Sequence, residues 1–216
     1  STTGKPDSTG SVGTAVEGAI KEVSELLDKL VKAVKTAEGA SSGTAAIGEV
    51  VADAAKAADK DSVKGIAKGI KEIVEAAGGS EKLKAVAAAK TENSKGAGKL
   101  FGKVDGAAHG DSEAASKAAG AVSAVSGEQI LSAIVTAAGA AASEADQEGK
   151  KPADATNPIA AAIGKGNEEN GAEFGDGMKK DDQIAAAIAL RGMAKDGKFA
   201  VKNDDEKGKA EGAIKG

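Results

Sequence analysis

At 216 residues the chain has room for one domain, and without cysteine it can build neither disulfides nor thiolate metal sites. A net charge of −4, carried by lysine rather than arginine on the positive side, excludes the strong field that nucleic acid or an anionic membrane surface would need. Three phenylalanines and no Trp or Tyr leave the core to alanine and the aliphatics, while the 30 glycines are about twice the usual share of roughly 7%.

The opening stretch "STTGKPDSTGSVG" has no apolar signal region and no periodicity. It reads as an internal start, from a processed protein or a fragment, with residues 1–16 flexible and one helical domain over 17–216. From Glu17 to Glu38, Ile20, Val23, Leu27, Leu30 and Val34 alternate in spacings of four and three, the stripe of a helix close to a heptad seam. Gly39 stops it. Thr44 to Ala58 repeats the pattern through Ile47, Val50, Val51, Ala54 and Ala58, predicting a second helix. Ser62 to Ala77 follows, with Val63, Ile66, Ile70, Ile73 and Val74 on one face and Gly78-Gly79 as its stop. Ser80 is placed to cap a short helix bearing Leu83 and Val86.

Lys90 to Gly110 loses the period and reads as a long loop rich in Gly and Lys. Asp111 caps a weakly apolar helix running to Val125. Ser126 and Gln129 have the spacing of a capping box ahead of Ile130, Ile134 and Val135. The longest uncharged run, Gln129 to Ser143, is too short to span a bilayer. Ser143 to Thr156 is polar loop. Asn157-Pro158 starts a helix that Gly164 ends. Lys165 to Gly177 is again loop. "DDQIAAAIALRGMAK" from Asp181 has acids in its first turn and bases in its last, matching the helix dipole. Asp196-Gly197 turns the chain into a charged tail from Asn203. The expected architecture is therefore all-α: an Ala-rich helical bundle with long Gly-rich polar loops and little or no strand.

Catalytic chemistry is hard to assemble. His109 is the single histidine and lies in a loop, so Ser/His/Asp catalysis or a metal site would rest on one group. "GAGKL" at Gly96 lacks the first glycine of a phosphate loop, because position 93 is Asn, and has Leu100 where magnesium would need a hydroxyl. "NDDEKGK" at Asn203 is only loosely like a calcium loop, since Lys207 takes a ligand position. The expectation is no enzyme, no cofactor, no metal and no nucleic acid. Lys64, Lys68 and Lys71 fall on one helix face, either an ordinary solvated face or a point-charge track for a sulfated polysaccharide. Gly65-x-x-x-Gly69 on the same helix reads as a close helix approach.

Three runs carry a resemblance: "EGAIKEVSELLDKLVKAVKTAEGASSGTAAIGEVVADAAKAADK", "SVKGIAKGIKEIVEAAGGSEKLKAVAAAK" and "MKKDDQIAAAIALRGMAKDGKFAVK". Together they resemble the variable major protein-like surface lipoproteins of Lyme-disease spirochaetes (Borrelia), over almost the whole chain and most specifically from Met178 to Lys202. The resemblance implies a lipid-anchored outer-membrane antigen, mainly helical, whose partners are host antibodies and whose membrane contact is a lipid anchor lying outside this chain. It also implies a cassette rewritten by gene conversion between short direct repeats. "EGAIK" at Glu17–Lys21 and again at Glu211–Lys215 matches such borders. Invariant-type residues carried over to the displayed helix are Lys179, Lys180, Asp181, Asp182, Ile184, Ile188, Arg191 and Lys195. Variable-type segments are about Ala52 to Asp61, Lys90 to Gly110, Ser143 to Asn157, Lys165 to Gly177 and Asn203 to Lys209. Antigenic variation is the implied function, with an adhesin for host glycosaminoglycan through Lys64, Lys68 and Lys71 as the alternative.

An antigen that varies to escape antibodies should hide what it keeps constant. On the Asp181 helix, Ile184, Ala187, Ile188 and Arg191 share a face that is apolar up to Arg191. Ile184, Ile188, Leu190 and Met193 are expected to be buried, and Lys179, Lys180 and Asp181 to stay wet.

Overall fold

The structure, a computed structural model, describes residues 8–41, 48–52, 57–103, 109–141 and 148–215. Its elements run α1 (Ser8–Ser41), β1 (Val50–Ala52), α2 (Lys60–Ala76), α3 (Ser80–Lys84), β2 (Gly102–Lys103), α4 (Ser112–Ser123), α5 (Gly127–Ala141), α6 (Pro158–Ile163), β3 (Gly166–Asn170), α7 (Asp181–Met193), β4 (Phe199–Val201) and α8 (Asp204–Lys215). Three 3-10 turns complete the set, at Lys95–Phe101, Pro152–Asp154 and Asp176–Met178. The mainly helical expectation holds, with two short parallel strand pairs added.

Local signals set most helix ends. Asp59 caps α2 by accepting the Ser62 N–H at 2.7 Å, and Asp111 caps α4 through the Ala114 N–H at 2.8 Å. Ser126 and Gln129 exchange both bonds of the capping box, at 3.0 and 3.2 Å. Asn157 caps α6 by accepting from the Ala160 N–H at 2.9 Å, with Pro158 at the first helical position.

Four expectations need correction. Helix α1 begins at Ser8, so the described part of the segment expected to be flexible is helical. The helix expected over Thr44 to Ala58 is absent where the chain is described, with residues 42–47 and 53–56 outside the described set. Val50–Ala52 instead pairs in parallel with Phe199–Val201, in the register Val50 to Phe199. Two adjacent β-branched residues that can bury against a second apolar strand favour that outcome over a helical turn. Short helix α3 is capped by Gly79 rather than Ser80, with no side-chain bond. The charged tail forms α8, because Asn203 accepts the Glu206 N–H at 3.2 Å and three acids follow in the first turn. That turn is the stretch with the loose calcium-loop pattern.

Helix α7 divides the core. One cluster joins Ile184, Ala187 and Ile188 to the three phenylalanines, β1, β4 and the alanines of α4. The other joins Ala186 and Leu190 to Val63 and Ile66 of α2, Ile134 of α5 and Ile159 of α6. Among the described residues no single helix is long and apolar enough to cross a membrane.

Against the outside of α2 lies α1. A Cβ on Gly69 would sit 2.7 Å from Ala37 Cβ and 2.9 Å from its Cα, and one on Gly65 would sit 2.6 Å from Ala40 Cβ. Gly65-x-x-x-Gly69 is thus a close helix approach. Gly69→Val is expected to push α1 off α2, costing about 1–3 kcal/mol and exposing α1 to proteolysis. Limited digestion compared with the parent chain would show it, and an unchanged cleavage pattern would exclude it.

Candidate functional site

Helix α7 and its approaches carry every invariant-type residue except Lys195, which lies two residues beyond the helix end. Not one residue of α7 is exposed; only Gln183, Ala189 and Met193 are even half-buried. Ile184 and Leu190 have no accessible surface and Ile188 has 4%, as expected. Met193 is half-buried, packed against the α2 side of the core, so its expected burial is only partial.

The wet start expected for this helix is corrected by the chain before α4. The segment Ala89–Glu92 runs across the first turn of α7. Asp182 accepts the Ala89 N–H at 3.1 Å and the Gln183 N–H at 2.8 Å, and the Asp181 N–H donates to the Thr91 carbonyl at 3.2 Å. Asp181 and Asp182 are thereby buried, at 2% and 5% exposure. Among the described residues the Asp181 Oδ1 has no hydrogen-bond partner. Lys179 pairs with Glu92 at 3.3 Å and, like Lys180, is half-buried rather than fully wet.

Arg191 is the residue that sequence reasoning undervalued. It is completely buried. Its Nε and Nη2 donate to the Lys198 carbonyl at 3.0 and 2.8 Å, and its Nη1 donates to the carbonyls of Ala162 and Ile163 at 2.8 and 3.1 Å. Its guanidinium carbon lies 5.6 Å from the Phe101 ring centre and 5.8 Å from that of Phe199. Phe101 in turn meets Phe174 and Phe199 edge-on at 5.1 and 5.3 Å. Burial pushes the Arg191 guanidinium down to about 10, so it remains charged at neutral pH. A signal was present in the sequence: one arginine and three phenylalanines in a chain otherwise made of lysine and small aliphatics.

This cluster also alters the reading of the loops. Phe101 ends the 3-10 turn within Lys90 to Gly110, and Phe174 lies within Lys165 to Gly177, so both variable-type segments put side chains into the core. "GAGKL" is part of that turn, with Ala97 and Leu100 fully buried and the Phe174 N–H donating to the Lys95 carbonyl at 2.9 Å. Lys95 also holds Asp176 at 2.7 Å, an exposed pair that keeps the carboxyl below its usual range. Residues 104–108 and 142–147, in two of these segments, lie outside the described set. At the far end of α7, the Lys195 N–H donates to Ser62 Oγ at 2.9 Å and its carbonyl accepts the Asp59 N–H at 2.9 Å. Ser62 Oγ in turn donates to the Ala40 carbonyl, which locks α1, α2 and the end of α7 together.

Lys64, Lys68 and Lys71 do share one face, beside Gly65, Ala138 and Ile159. Lys68 has Glu72 at 3.8 Å, and Lys71 is paired with Glu75. Two glutamates therefore offset the positive track. His109 is half-buried, and the described residues contain no group of three or more potential metal ligands.

The two "EGAIK" copies occupy unlike surroundings. Glu17–Lys21 lies in α1 with Ile20 63% exposed, whereas Glu211–Lys215 ends α8 with Ile214 packed on the core. A shared structural role does not account for the repeat.

Residues 2–216 match the family described as Borrelia lipoprotein. The chain is 38% identical to variable large protein 17 of Borrelia hermsii over 192 residues, which is 88% of this chain and 53% of that one. It is 36% identical to variable large protein 4 of Borrelia hermsii, with the same two coverages. The chain thus spans about half the length of these curated relatives. Its structure is similar to the crystal structure of the Lyme disease variable surface antigen VlsE of Borrelia burgdorferi. That similarity has a TM-score of 0.85 and 85% identity, covering 94% of this chain and 67% of the other.

Proposed function

Because this chain belongs to the Borrelia lipoprotein family, we propose that it is the variable part of a lipid-anchored outer-surface antigen whose function is antigenic variation. Its partners are host antibodies, and it catalyses no reaction. The cassette runs from the first "EGAIK" to the second, over residues 17–216. One observation carries the reading: the helix read as invariant has no exposed residue, while the segments read as variable fall mainly between the described helices, except Asn203 to Lys209, which forms the charged start of α8. A protein under antibody pressure gains from that division, because exposed connections tolerate substitution and packed faces do not.

The adhesin alternative is weaker, since Glu72 and Glu75 oppose two of its three lysines. Attraction to a sulfated chain would have to overcome that local compensation.

The test uses antibodies raised against a peptide covering Met178 to Lys202. They should bind that peptide or the denatured chain at least about tenfold better than the folded protein, because reaching Ile184 or Arg191 requires local opening that costs more than about 1.4 kcal/mol. Equal binding to native and denatured forms would overturn the proposal that this helix is hidden. Variation among isolates spread equally inside and outside residues 17–216 would overturn the cassette.

A further inference from the structure

Residues 79–93 cover the start of α7 while adding little to the core. Among residues 77–93, Ala89 alone is buried, and α3 within this stretch buries nothing. Gly78 before it closes the end of α2 at a φ of 69°, and Ser94 after it is buried again. A groove of about 500 Å³ lies between Val86, Ala87 and Ala88 of the stretch and Ala133 and Ala137 of α5, so this flank is not close-packed. Few buried apolar contacts and an exposed, irregular backbone mark the low-stability end of a folded chain.

The stretch is held down by its backbone. Ser132 Oγ donates to the Leu83 carbonyl and Gln129 Nε2 to the Ala87 carbonyl, each at 3.1 Å. The Ala89 N–H donates to Asp182 Oδ2 at 3.1 Å, and the Thr91 carbonyl accepts the Asp181 N–H at 3.2 Å. None of the four bonds uses a side chain of the stretch itself. Exchange of variable-type residues from Lys90 onward therefore leaves them in place. Glu92 adds a tie that does depend on the variable sequence, its ion pair with Lys179 at 3.3 Å.

The two acids under the stretch act in opposite directions. Asp182 is a latch, with one oxygen on the Ala89 N–H and the other on the Gln183 N–H. Asp181 Oδ1 is buried without a partner among the described residues. An unpaired buried oxygen penalises the closed arrangement, and water satisfies it once the cover lifts.

We propose that residues 79–93 form a lid that lifts as a unit between Gly78 and Ser94, latched by Asp182 and loosened by Asp181, while the core beneath stays folded. The lifted state is the route by which an antibody reaches the first turn of α7. That consequence rests on the reading of α7 as the hidden helix, whereas the lid itself does not.

Hydrogen exchange of the folded chain, read amide by amide and corrected for intrinsic rates, tests the lid. The Ala89 and Asp181 amides should exchange together, at least about a hundredfold faster than the Ile188 amide in the middle of α7. Each variant is compared with its own Ile188 rate, which removes any change in global stability. Asp182→Ala should speed the Asp181 amide, whose own partner is the Thr91 carbonyl, about tenfold. Ser132→Ala should speed it about threefold, although Leu83 lies eight residues from Thr91, because the lid moves as one piece. Asp181→Ala should slow the Ala89 amide. Exchange of Ala89 and Asp181 at the Ile188 rate would overturn the lid. So would an Asp181 amide indifferent to Ser132→Ala and Asp182→Ala, or an Ala89 amide that speeds up in Asp181→Ala. The antibody route is read with Ser132→Ala, which lies outside the Met178 to Lys202 peptide: antibodies to that peptide should bind the folded variant faster in proportion to its exchange. Equal binding to folded and denatured parent would remove the concealment and leave the lid standing, whereas exchange only by global unfolding would remove the lid and leave the concealment.

Discussion

Arg191→Ala is expected to lower the unfolding free energy by about 3–5 kcal/mol, measured as a shift in denaturant midpoint at constant slope. Two effects sum. The substitution leaves a large cavity between Phe101 and Phe199, and it strips the donor from the carbonyls of Lys198 and Ala162, each about 1–3 kcal/mol if left unpaired in the interior. Ile163 loses less, since its carbonyl also accepts the Ala58 N–H at 2.9 Å. Release of a buried charge offsets part of the loss, which is why the figure is not larger. Arg191→Lys separates charge from shape. It keeps the cation but lacks the planar fork, and is expected to recover less than half of the loss. A shift below about 1 kcal/mol for Arg191→Ala would show that the carbonyl cage closes without it.

Arg191 also has a pH signature. Its folded value is depressed to about 10 by burial. Above that pH the folded chain has released this proton while the unfolded chain still holds it, so the unfolded state binds more protons and stability rises with pH. Below about pH 10 both states are charged and Arg191 contributes no slope. The difference between parent and Arg191→Ala melts should therefore be flat through neutrality and widen only in strong alkali. A difference that changes between about pH 5 and 9 would assign the effect to another group.

Gly110→Ala should be nearly as costly, although Gly110 ends a segment that reads as a tolerant loop. A Cβ there would lie 2.2 Å from the Ala200 carbonyl oxygen and 2.8 Å from Leu100 Cδ2, while the Gly110 carbonyl accepts the Lys202 N–H at 2.9 Å. The obstacle is the backbone of β4, which cannot rotate away, so the expected loss is about 2–3 kcal/mol. Gly18→Ala is the control, because nothing lies within 4 Å of its added methyl. There the helix gains up to about 1 kcal/mol of local stability. Thermal melts of the two single variants should move in opposite directions or, for Gly18→Ala, not fall. Equal tolerance at both positions would mean that this loop is not pinned to β4.

Short-range physics decided what the amino-acid sequence determined by itself. Asp111, Asn157 and the Ser126–Gln129 box each bond within one turn, so the starts of α4, α5 and α6 were legible from residue type and spacing alone, whereas α2 starts at Lys60 behind its Asp59 cap, two residues before the expected Ser62. The burial of Ile184 and Ile188 followed from a 3.6-residue period in the same way, while Leu190 lies on another face, in the second core cluster. Tertiary structure decided the rest, where partners lie far along the chain. Val50–Ala52 is a strand because Phe199–Val201 lies beside it. Asp181 and Asp182, polar by composition, are buried because Ala89–Glu92 crosses over them. The apolar stripe of α1 is exposed because α2 takes the adjacent alanine face, where Gly65 and Gly69 allow a closer approach than the large side chains would. Arg191 is interior because Phe101, Phe199 and three carbonyls from separate segments converge on it. A period reports that a helix has an apolar side; only the packed neighbours decide whether that side, or both, is covered.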